Sequence, residues 1–223
     1  MNVKLVSFSA PSPEMPLEIK DAQDLIAFCA RVSNPSNQLN TETSEKLIRY
    51  LIKHKHWSPL EMVSVCLEIE TTRDIARQIL RHRSFSFQEF SQRYADVDAL
   101  DMKPQLREAR LQDTKNRQNS IETSDELLQL LWKDRQLEVW NAAEKAYRWA
   151  VDNGIAKEVA RSVLPEGLTL SRLYVNGTLR SWIHYCQLRM ANGTQKEHME
   201  IAKECWEIIG EEFPNVVKAL EQE

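Results

Sequence analysis

A stretch of alternating apolar and polar residues, from residue 63 to residue 70, restricts the fold more than any other feature of the chain. Every second residue in it is apolar, and these residues are Val63, Val65, Leu67 and Ile69. A period of two is typical of a strand with one buried face. A helical pattern follows, which predicts a helix from Arg73 to His82 capped by Thr72. That helix would present Gln78 and Arg81 at the end of a rigid element.

The rest of the chain predicts two more strands and six more helices. The strands are predicted at residues 3–9 and 168–175, the second one followed by a turn at Asn176-Gly177. The helices are predicted at residues 21–32, 43–54, 123–153, 156–164, 178–190 and 194–213, with caps that include Thr43, Thr178 and a Thr123–Glu126 capping box. This pattern favours a single-domain α+β fold in which helices pack around a small, mainly antiparallel sheet.

Residues 95–122 differ in composition from the rest of the chain. They carry many charged and amide side chains and few large apolar ones. We predict a long charged surface segment there, with a short helix from Leu106 to Leu111. Segments of this length are often functional or mobile.

Charge, cysteine and histidine content exclude several classes of protein. With 29 Lys and Arg against 33 Asp and Glu, the formal net charge is -4, which argues against a general nucleic-acid-binding protein. No apolar run approaches the roughly 20 residues of a membrane helix, and the N-terminus lacks a signal-peptide pattern. The four cysteines form no Cys-x-x-Cys pair, and His54 and His56 have no third ligand, so no metal site is predicted. We expect a cytoplasmic protein with reduced thiols and no membrane partner.

Glycine is too scarce and too scattered to bind a nucleotide in the familiar way. The chain has five glycines, namely Gly154, Gly167, Gly177, Gly193 and Gly210. No two of them are close enough to form a dinucleotide fingerprint or a P-loop. A bound nucleotide would therefore be held by side chains.

Residues 77–94 carry the densest set of polar side chains. These eighteen residues include four arginines, a histidine, a carboxylate and three serines, with aromatic residues between them. Arginine stays charged and offers paired donors that fit phosphate or carboxylate oxygens. The alternative is a solvated basic face, but this mixture suits an anionic ligand with a ring system better. The alternation from Ser84 to Phe87 predicts an extended backbone after the helix.

Several motifs together resemble those of the flavin-dependent thymidylate synthases. The first is Arg81-His82-Arg83 followed, after seven residues, by Ser91, with Arg93-Tyr94 close behind. Similar family segments match residues 30–33 (Ala-Arg-Val-Ser), 54–61, 160–165 and 188–189. The resemblance spans roughly residues 30 to 205, which is most of the chain.

The resemblance implies a reaction. Members of this family methylate dUMP to dTMP, with methylenetetrahydrofolate as the carbon donor, FAD as the cofactor and NADPH as the reductant. They are homotetramers whose sites combine residues of several subunits. In the family, the arginine that matches Arg189 stabilises the uracil ring as its N3 anion, so no cysteine nucleophile is needed.

The resemblance also implies the site residues. The residues implied to bind dUMP are Gln78, Ile79, Leu80, Arg81, Glu89, Phe90, Ser91, Gln92, Arg93, Arg161 and the catalytic Arg189. Those implied to bind FAD are Ser58, Arg81, His82, Arg83, Glu89, Thr178, Leu179, Arg180 and His184, and His56 would lie beside the flavin and folate. The family often has Asn-x-Arg before its last helix, whereas this chain reads Asn-Gly-Thr-Leu-Arg at residues 176–180, so Asn176 or Thr178 takes that role, with Thr178 favoured by position.

Ser91 and Arg93 carry a geometric expectation of their own. They are two residues apart, so on an extended backbone both side chains would point the same way, toward one phosphate.

Two rival interpretations have different chemistry. Basic and aromatic residues between 81 and 94 resemble the surfaces that bind single-stranded nucleic acid, although the net negative charge and Glu89 argue against that. The chain could also be a helical oligomer without a ligand. That alternative explains the apolar stripe of the helix at 123–153, but it leaves the arginines unexplained. Bound flavin would colour the purified protein yellow, and neither rival predicts this.

Overall fold

A four-stranded antiparallel sheet lies at the centre of the protein. The computed structural model describes residues 1–95 and 103–222. The strands of the sheet follow the spatial order β1 (Asn2–Phe8), β2 (Ser64–Thr72), β6 (Leu170–Thr178) and β3 (Phe85–Glu89). The central strands β2 and β6 pair along nine residues, from Ser64 opposite Thr178 to Thr72 opposite Leu170. The prediction of an α+β fold with a small antiparallel sheet is therefore confirmed.

Eight α-helices accompany this sheet within the described residues. They are α1 (Ala22–Ala30), α2 (Ser44–Lys53), α3 (Arg73–Ile79), α4 (Glu126–Asp152), α5 (Lys157–Ala160), α6 (Leu179–Arg189), α7 (Lys196–Glu212) and α8 (Pro214–Glu221). The last lies beyond the predicted helices: it begins at Pro214, and proline is well suited to the first turn of a helix. Within the same residues, each helix is too short or too polar to traverse a lipid bilayer.

The core forms where the apolar face of the sheet meets the helices. The alternating residues of β2 that the sequence singled out, Val65, Leu67 and Ile69, are at most 1% exposed. They belong to one cluster with apolar residues of α1, α2, α6, α7 and α8. Trp182 of α6 ties this layer to the sheet, because its indole Nε1 donates to the Val65 carbonyl oxygen at 2.9 Å. The period-two pattern thus identified the buried face correctly.

The helix that leads to the arginine-rich turn is shorter than predicted. It ends at Ile79 rather than His82, so Arg81 and His82 lie in the turn that follows it. Thr72 occupies the N-cap position, but its hydroxyl donates to Asp74 instead of capping the backbone. The extended backbone expected after Ser84 is present as β3. The chain turns early because β3 must reach the free edge of β6.

Three further predictions of local structure are wrong. Residues 106–111 are not helical: β4 (Arg110–Gln112) begins there and pairs with β5 (Ser120–Glu122) as a separate hairpin. The cap of α4 is Asp125, whose carboxylate accepts from the Leu128 amide at 3.0 Å, and not Thr123. Residues 176–177 do not turn the chain, because β6 continues through them to Thr178 and pairs there with both β2 and β3.

The long helix α4 lies away from the sheet. It packs mainly on α5 and on the short 3₁₀ turn at residues 161–163, where Tyr147 and Ala160 are buried together. Much of its remaining apolar surface is exposed, including Leu127 at 65% and Trp149 at 61%. The helix ends at Asp152, one residue before the predicted end, and Gly154 follows the C-cap residue Asn153 with a positive φ of 73°.

Candidate active site

The turn between α3 and β3 presents two arginines to solvent. Arg81 and Arg83 are both exposed, and neither forms an ion pair within residues 1–95 and 103–222. Arg77, one turn earlier, differs because its Nε donates to Glu166 Oε2 at 2.7 Å. Two guanidinium groups without a counter-charge on one short turn favour an anionic ligand. Arg77 lies on α3, whereas Arg81 follows the end of that helix.

His82, between these arginines, points the other way and contacts Arg189. The Arg189 Nε donates to the His82 Nε2 at 2.9 Å. An arginine can only donate, so Nε2 must accept and His82 must be neutral with its proton on Nδ1. Burial, reinforced by the charge of Arg189, lowers the pKa of His82 to about 4. The predicted catalytic arginine is therefore attached to the motif by a neutral histidine.

A buried polar chain continues behind His82. The rings of Tyr185 and His82 pack edge-on, with their centroids 4.9 Å apart. The Tyr185 hydroxyl lies 3.0 Å from His198 Nε2. His198 Nδ1 lies 3.2 Å from Gln78 Oε1. Burial, followed by the charge of Arg189, lowers the pKa of His198 to about 3, so this imidazole is neutral as well. Gln78 and Arg189, both predicted to bind dUMP, are thus connected to one buried cluster.

A cleft of about 380 Å³ lies beside the arginine-rich turn. It is lined by residues of that turn, of the segment around Trp57 and of α6, which are Trp57, Glu61, Ser84, Arg180, Ser181, Ile183, His184 and Gln187. Arg180 and His184, predicted to bind FAD, are both among them. Arg180 forms an ion pair with Glu61 across the cleft. Ser58 and His56 are exposed next to Trp57, at the beginning of this segment.

Thr178 and Leu179, also predicted to contact FAD, have structural roles at the start of α6. The Thr178 hydroxyl accepts from the Ser181 amide at 3.3 Å and thereby caps the helix. Leu179 is fully buried, and its amide donates to the Val63 carbonyl oxygen at 2.8 Å. Asn176, the alternative to Thr178, is exposed on β6.

Glu89 lies at the end of β3, within the sheet. Its Oε1 accepts a hydrogen bond from the Ser171 hydroxyl at 2.9 Å and is 3.6 Å from Nη1 of Arg73. These partners orient the carboxylate and leave the other oxygen, Oε2, for a ligand. Arg73 was not singled out by the sequence, because it lies eight residues before the motif and only strand pairing brings β3 to its side.

Ser91 and Arg93 line a shallow surface pocket together with Tyr94 and residues 156–158, at the start of α5. The extended backbone that was expected there is wrong, because the amides of Tyr94 and Ala95 donate to the Ser91 carbonyl oxygen in a turn. The two side chains nevertheless share one pocket. Arg93 is 3.2 Å from Glu158 Oε2, with both side chains more than half exposed. An anion arriving here would compete with an exposed ion pair, which is weak.

The other predicted dUMP-binding residues differ in exposure. Ile79 is in the core, and Leu80 and Phe90 are half-buried. Gln92 is only 3% exposed. Arg161 is half-buried at the first position of the 3₁₀ turn that follows α5. Side-chain contact with a ligand is therefore open to Arg161, whereas the Ile79 side chain is occupied by packing.

The thiols and the metal-binding side chains are not arranged for catalysis. Burial raises the pKa of Cys29 and of Cys66, and it raises the pKa of Cys186 and Cys205 in the core as well. A thiol with a raised pKa is a poor nucleophile near neutral pH. In the part of the chain that the structure describes, no group of three His, Cys, Asp or Glu residues could hold a metal ion.

His198 and Tyr185 were not identified from the sequence. His198 lies among charged residues at the start of α7 and Tyr185 follows His184 on α6, so neither stands out in the sequence as part of a site. The one available signal was the position of Tyr185, four residues before Arg189 on the same helix face.

Comparison with known proteins agrees with this geometry. Residues 17–215 match the family described as thymidylate synthase complementing protein. A probable flavin-dependent thymidylate synthase of Paramecium bursaria Chlorella virus 1 is 48% identical over 221 residues, which cover 99% of both chains. The chain belongs to the flavin-dependent thymidylate synthase family. A second member, from Synechocystis sp., is also 48% identical over 221 residues, 99% of this chain and 100% of its own.

A solved structure supports the family assignment. The UMP/dUMP methylase PolB from Streptomyces cacaoi, bound with 5-Br dUMP, has a TM-score of 0.80 and 26% sequence identity to this chain. The likeness covers 99% of this chain and 94% of that one. The family's fold therefore extends over the whole described chain, including the sheet and the helices that carry Arg189 and His198.

Proposed function

We propose that this protein methylates dUMP to dTMP, with methylenetetrahydrofolate as the carbon donor, FAD as the cofactor and NADPH as the reductant. The observation that carries the proposal is Arg189, which neutral His82 holds beside the arginine-rich turn while all four thiols have raised pKa values. The names of the relatives support dUMP as the substrate and a flavin as the cofactor.

Arg189 would activate the uracil ring. Methylation at C5 requires electron density at that carbon, and an arginine can supply it indirectly by stabilising the ring as its N3 anion. Its Nε is already used by His82, which leaves the planar Nη1 and Nη2 donors for the ring. Because His82 can only accept in this pair, it orients the guanidinium without competing for the anion. No covalent bond from the enzyme to C6 is needed.

The phosphate would be bound in the pocket of Ser91 and Arg93. The hydroxyl and the guanidinium line the same pocket, and Arg161 follows α5, which forms its other wall. We assign to dUMP the residues Gln78, Ile79, Leu80, Arg81, Glu89, Phe90, Ser91, Gln92, Arg93, Arg161 and Arg189. For Ile79 the assignment concerns the backbone rather than the buried side chain.

FAD would be bound at the cleft next to the turn. Small-molecule sites range from about 300 to 1,000 Å³, so a cleft of 380 Å³ fits a part of a dinucleotide, and Arg180, Ser84 and His184 offer donors to an anionic ligand. When bound, reduced FAD supplies the hydride that reduces the transferred carbon to a methyl group. NADPH is the reductant that returns the flavin to its reduced form. We assign to FAD Ser58, Arg81, His82, Arg83, Glu89, Thr178, Leu179, Arg180 and His184, and we place His56 beside the flavin and folate.

The exposure of these residues supports a shared site in a homotetramer. Arg81, Arg83 and His184 are all exposed, and the cleft is small for a whole FAD. Helix α4 also exposes Leu130, Val139 and Trp149, each more than half accessible, beside an apolar groove of about 600 Å³ between α4 and α5. Apolar surface of this extent is typical of an interface. Light scattering of the purified protein would give the mass of four chains.

A visible spectrum tests the function. Purified protein should be yellow, the colour should bleach when NADPH is added without air, and dUMP with methylenetetrahydrofolate should then yield dTMP. A colourless protein that binds single-stranded DNA would support the rival binding function. If a yellow protein bleaches with NADPH but makes no dTMP, the assignment of FAD stands and the assignment of dUMP as the substrate is refuted.

A further inference from the structure

We infer that His198 is a positioning residue of the substrate site: a one-way hydrogen-bond chain from Glu197 to Tyr185 passes through it and sets the amide of Gln78 in a single orientation. The inference rests on the proposed function, because it treats Gln78 as a residue that meets dUMP. His198 is fully buried, so it acts through Gln78 and does not touch the substrate itself.

The direction of the chain begins at Glu197. Burial acts to raise the pKa of this carboxyl, but the hydrogen bond from Arg110 at 2.6 Å, a backbone hydrogen bond and the charges of Arg110 and Arg107 together outweigh it, so the pKa lies below its ordinary value. Glu197 is therefore ionised and can only accept. Gln195 must then donate from its Nε2, at 3.0 Å, and its Oε1 faces Gln78.

The next two links follow from the first. Gln78 must donate from Nε2 to Gln195 Oε1 at 2.8 Å, so its own Oε1 faces His198. That oxygen requires a donor, so His198 carries its proton on Nδ1 and its Nε2 accepts from the Tyr185 hydroxyl. Burial raises the pKa of Tyr185 well above its ordinary value, which keeps this donor protonated. Amide orientations and histidine tautomers are ambiguous in isolation, but the ionised carboxylate removes the ambiguity here.

The hydrogen-bond chain holds the side-chain amide of Gln78 in one orientation. One amide hydrogen is bonded to Gln195 and one oxygen lone pair is bonded to His198, so flipping the amide would break both bonds. The hydrogen that remains offers a donor at a constant place, suited to an oxygen of the substrate. Without His198 the amide could rotate and present its oxygen instead, which would repel the same group.

Two variants separate the roles of the two ring nitrogens of His198, because each replaces one nitrogen by an amide atom at a similar place. The amide nitrogen of asparagine takes the place of Nδ1, so His198→Asn keeps the donor to Gln78 and loses the acceptor for Tyr185. The side-chain oxygen of glutamine takes the place of Nε2, so His198→Gln keeps the Tyr185 bond and loses the donor to Gln78. Both variants place a neutral amide on α7, so they are matched in polarity.

The assay is a dUMP titration of the FAD-loaded protein followed by the flavin spectrum. We expect His198→Gln to raise the dUMP dissociation constant about tenfold, the size of one lost hydrogen bond, and His198→Asn to stay within about twofold of the natural protein. Flavin reduction by NADPH without dUMP should be equal in both. Equal dUMP affinities in the two variants would overturn the inference, because a merely structural role makes no distinction between the two ring nitrogens.

A third variant covers the case in which both His198 variants unfold. Gln195 is half-buried at the N-terminus of α7, and Gln195→Ala removes the other bond that holds the Gln78 amide. It should weaken dUMP binding severalfold with FAD content unchanged, and unchanged dUMP affinity would overturn the inference. Failure of the proposed function looks different: the natural protein itself would bind no dUMP, and the inference would be overturned with it.

Discussion

Replacement of Gly177 by alanine should move β3, and with it the side chains that β3 presents. Gly177 lies opposite Phe85 in the β3–β6 pair. A Cβ atom at this position would lie 2.2 Å from Cδ1 and 2.5 Å from Cε1 of the Phe85 ring, whereas ordinary contacts begin at 3.4 Å. The ring would have to shift by more than an ångström. It cannot do so freely, because it packs on Trp182 with ring centroids 4.6 Å apart.

The cost can be estimated from this overlap. Overpacking a filled core costs about 1–3 kcal/mol, and one kcal/mol lowers the midpoint of a chain of this size by about 2–4 °C. The middle of this range, about 2 kcal/mol, corresponds to a fall of about 4–8 °C in the thermal midpoint of the FAD-loaded protein. Binding of dUMP should also weaken, because Glu89 ends the displaced strand and Phe85 lies against Tyr185, with centroids 5.8 Å apart.

Two comparisons isolate the contact. Gly210→Ala adds the same methyl group to the interior of α7, where the nearest atom, Cγ2 of Val217, is at an ordinary 3.8 Å. It should raise stability by about 0.5–1 kcal/mol. Gly177→Ala should cost almost nothing in a Phe85→Ala background, which gives a coupling of about 2 kcal/mol between the two sites. An equal cost of Gly177→Ala in both backgrounds would refute the reasoning.

Three further predictions concern chemistry and pH. Arg189→Lys keeps a charge at the end of α6 but loses the planar donors and the bond to His82. The rate of dTMP formation should therefore fall about 10²-fold while NADPH still reduces the flavin. Normal methylation would disprove the role of Arg189 in activating uracil. Replacing Cys29, Cys66, Cys186 and Cys205 singly by alanine should lower stability at most, and a well-folded variant without turnover would revive a covalent mechanism. His82 and His198 have pKa values of about 4 and about 3 in the folded state, below the ordinary 6.5, so the unfolded chain gains protons first as the pH falls. The stability that these two histidines contribute should therefore be full above about pH 6.5 and be lost as the pH falls toward 4. The free energy of unfolding should fall more steeply in the natural protein than in His198→Gln, and parallel curves of the two proteins would contradict this.

Much of the candidate site could be proposed from the sequence, because the chain contains a family motif whose residues are closely spaced. Arg81, His82 and Arg83 are adjacent in the chain, so no folding step is needed to bring them together. The pairing of Ser91 with Arg93 in one pocket was also predictable from their spacing, although the extended backbone invoked for it was wrong. The geometry of these residues supports the proposed binding of dUMP and FAD.

The arrangement behind the motif could not be predicted, because it depends on long-range packing. Gln78 on α3 and His198 on α7 are separated by 120 residues and meet only when the chain is folded. The end of α3 was predicted wrongly because it also depends on long-range packing. Residues 80–82 have helical propensity, but the chain must turn there for β3 to pair with β6.

The sequence alone determined the buried face of β2, the cap of α6 at Thr178 and the presence of an arginine-rich segment, since periodicity, capping and adjacency are local properties. Only the tertiary structure decided that His82 faces inward to accept from Arg189, and that an ionised Glu197 orders the polar chain as far as Tyr185. The reason is physical: a side chain's protonation state and orientation follow from its burial and its partners, and both are set by elements far apart in the chain.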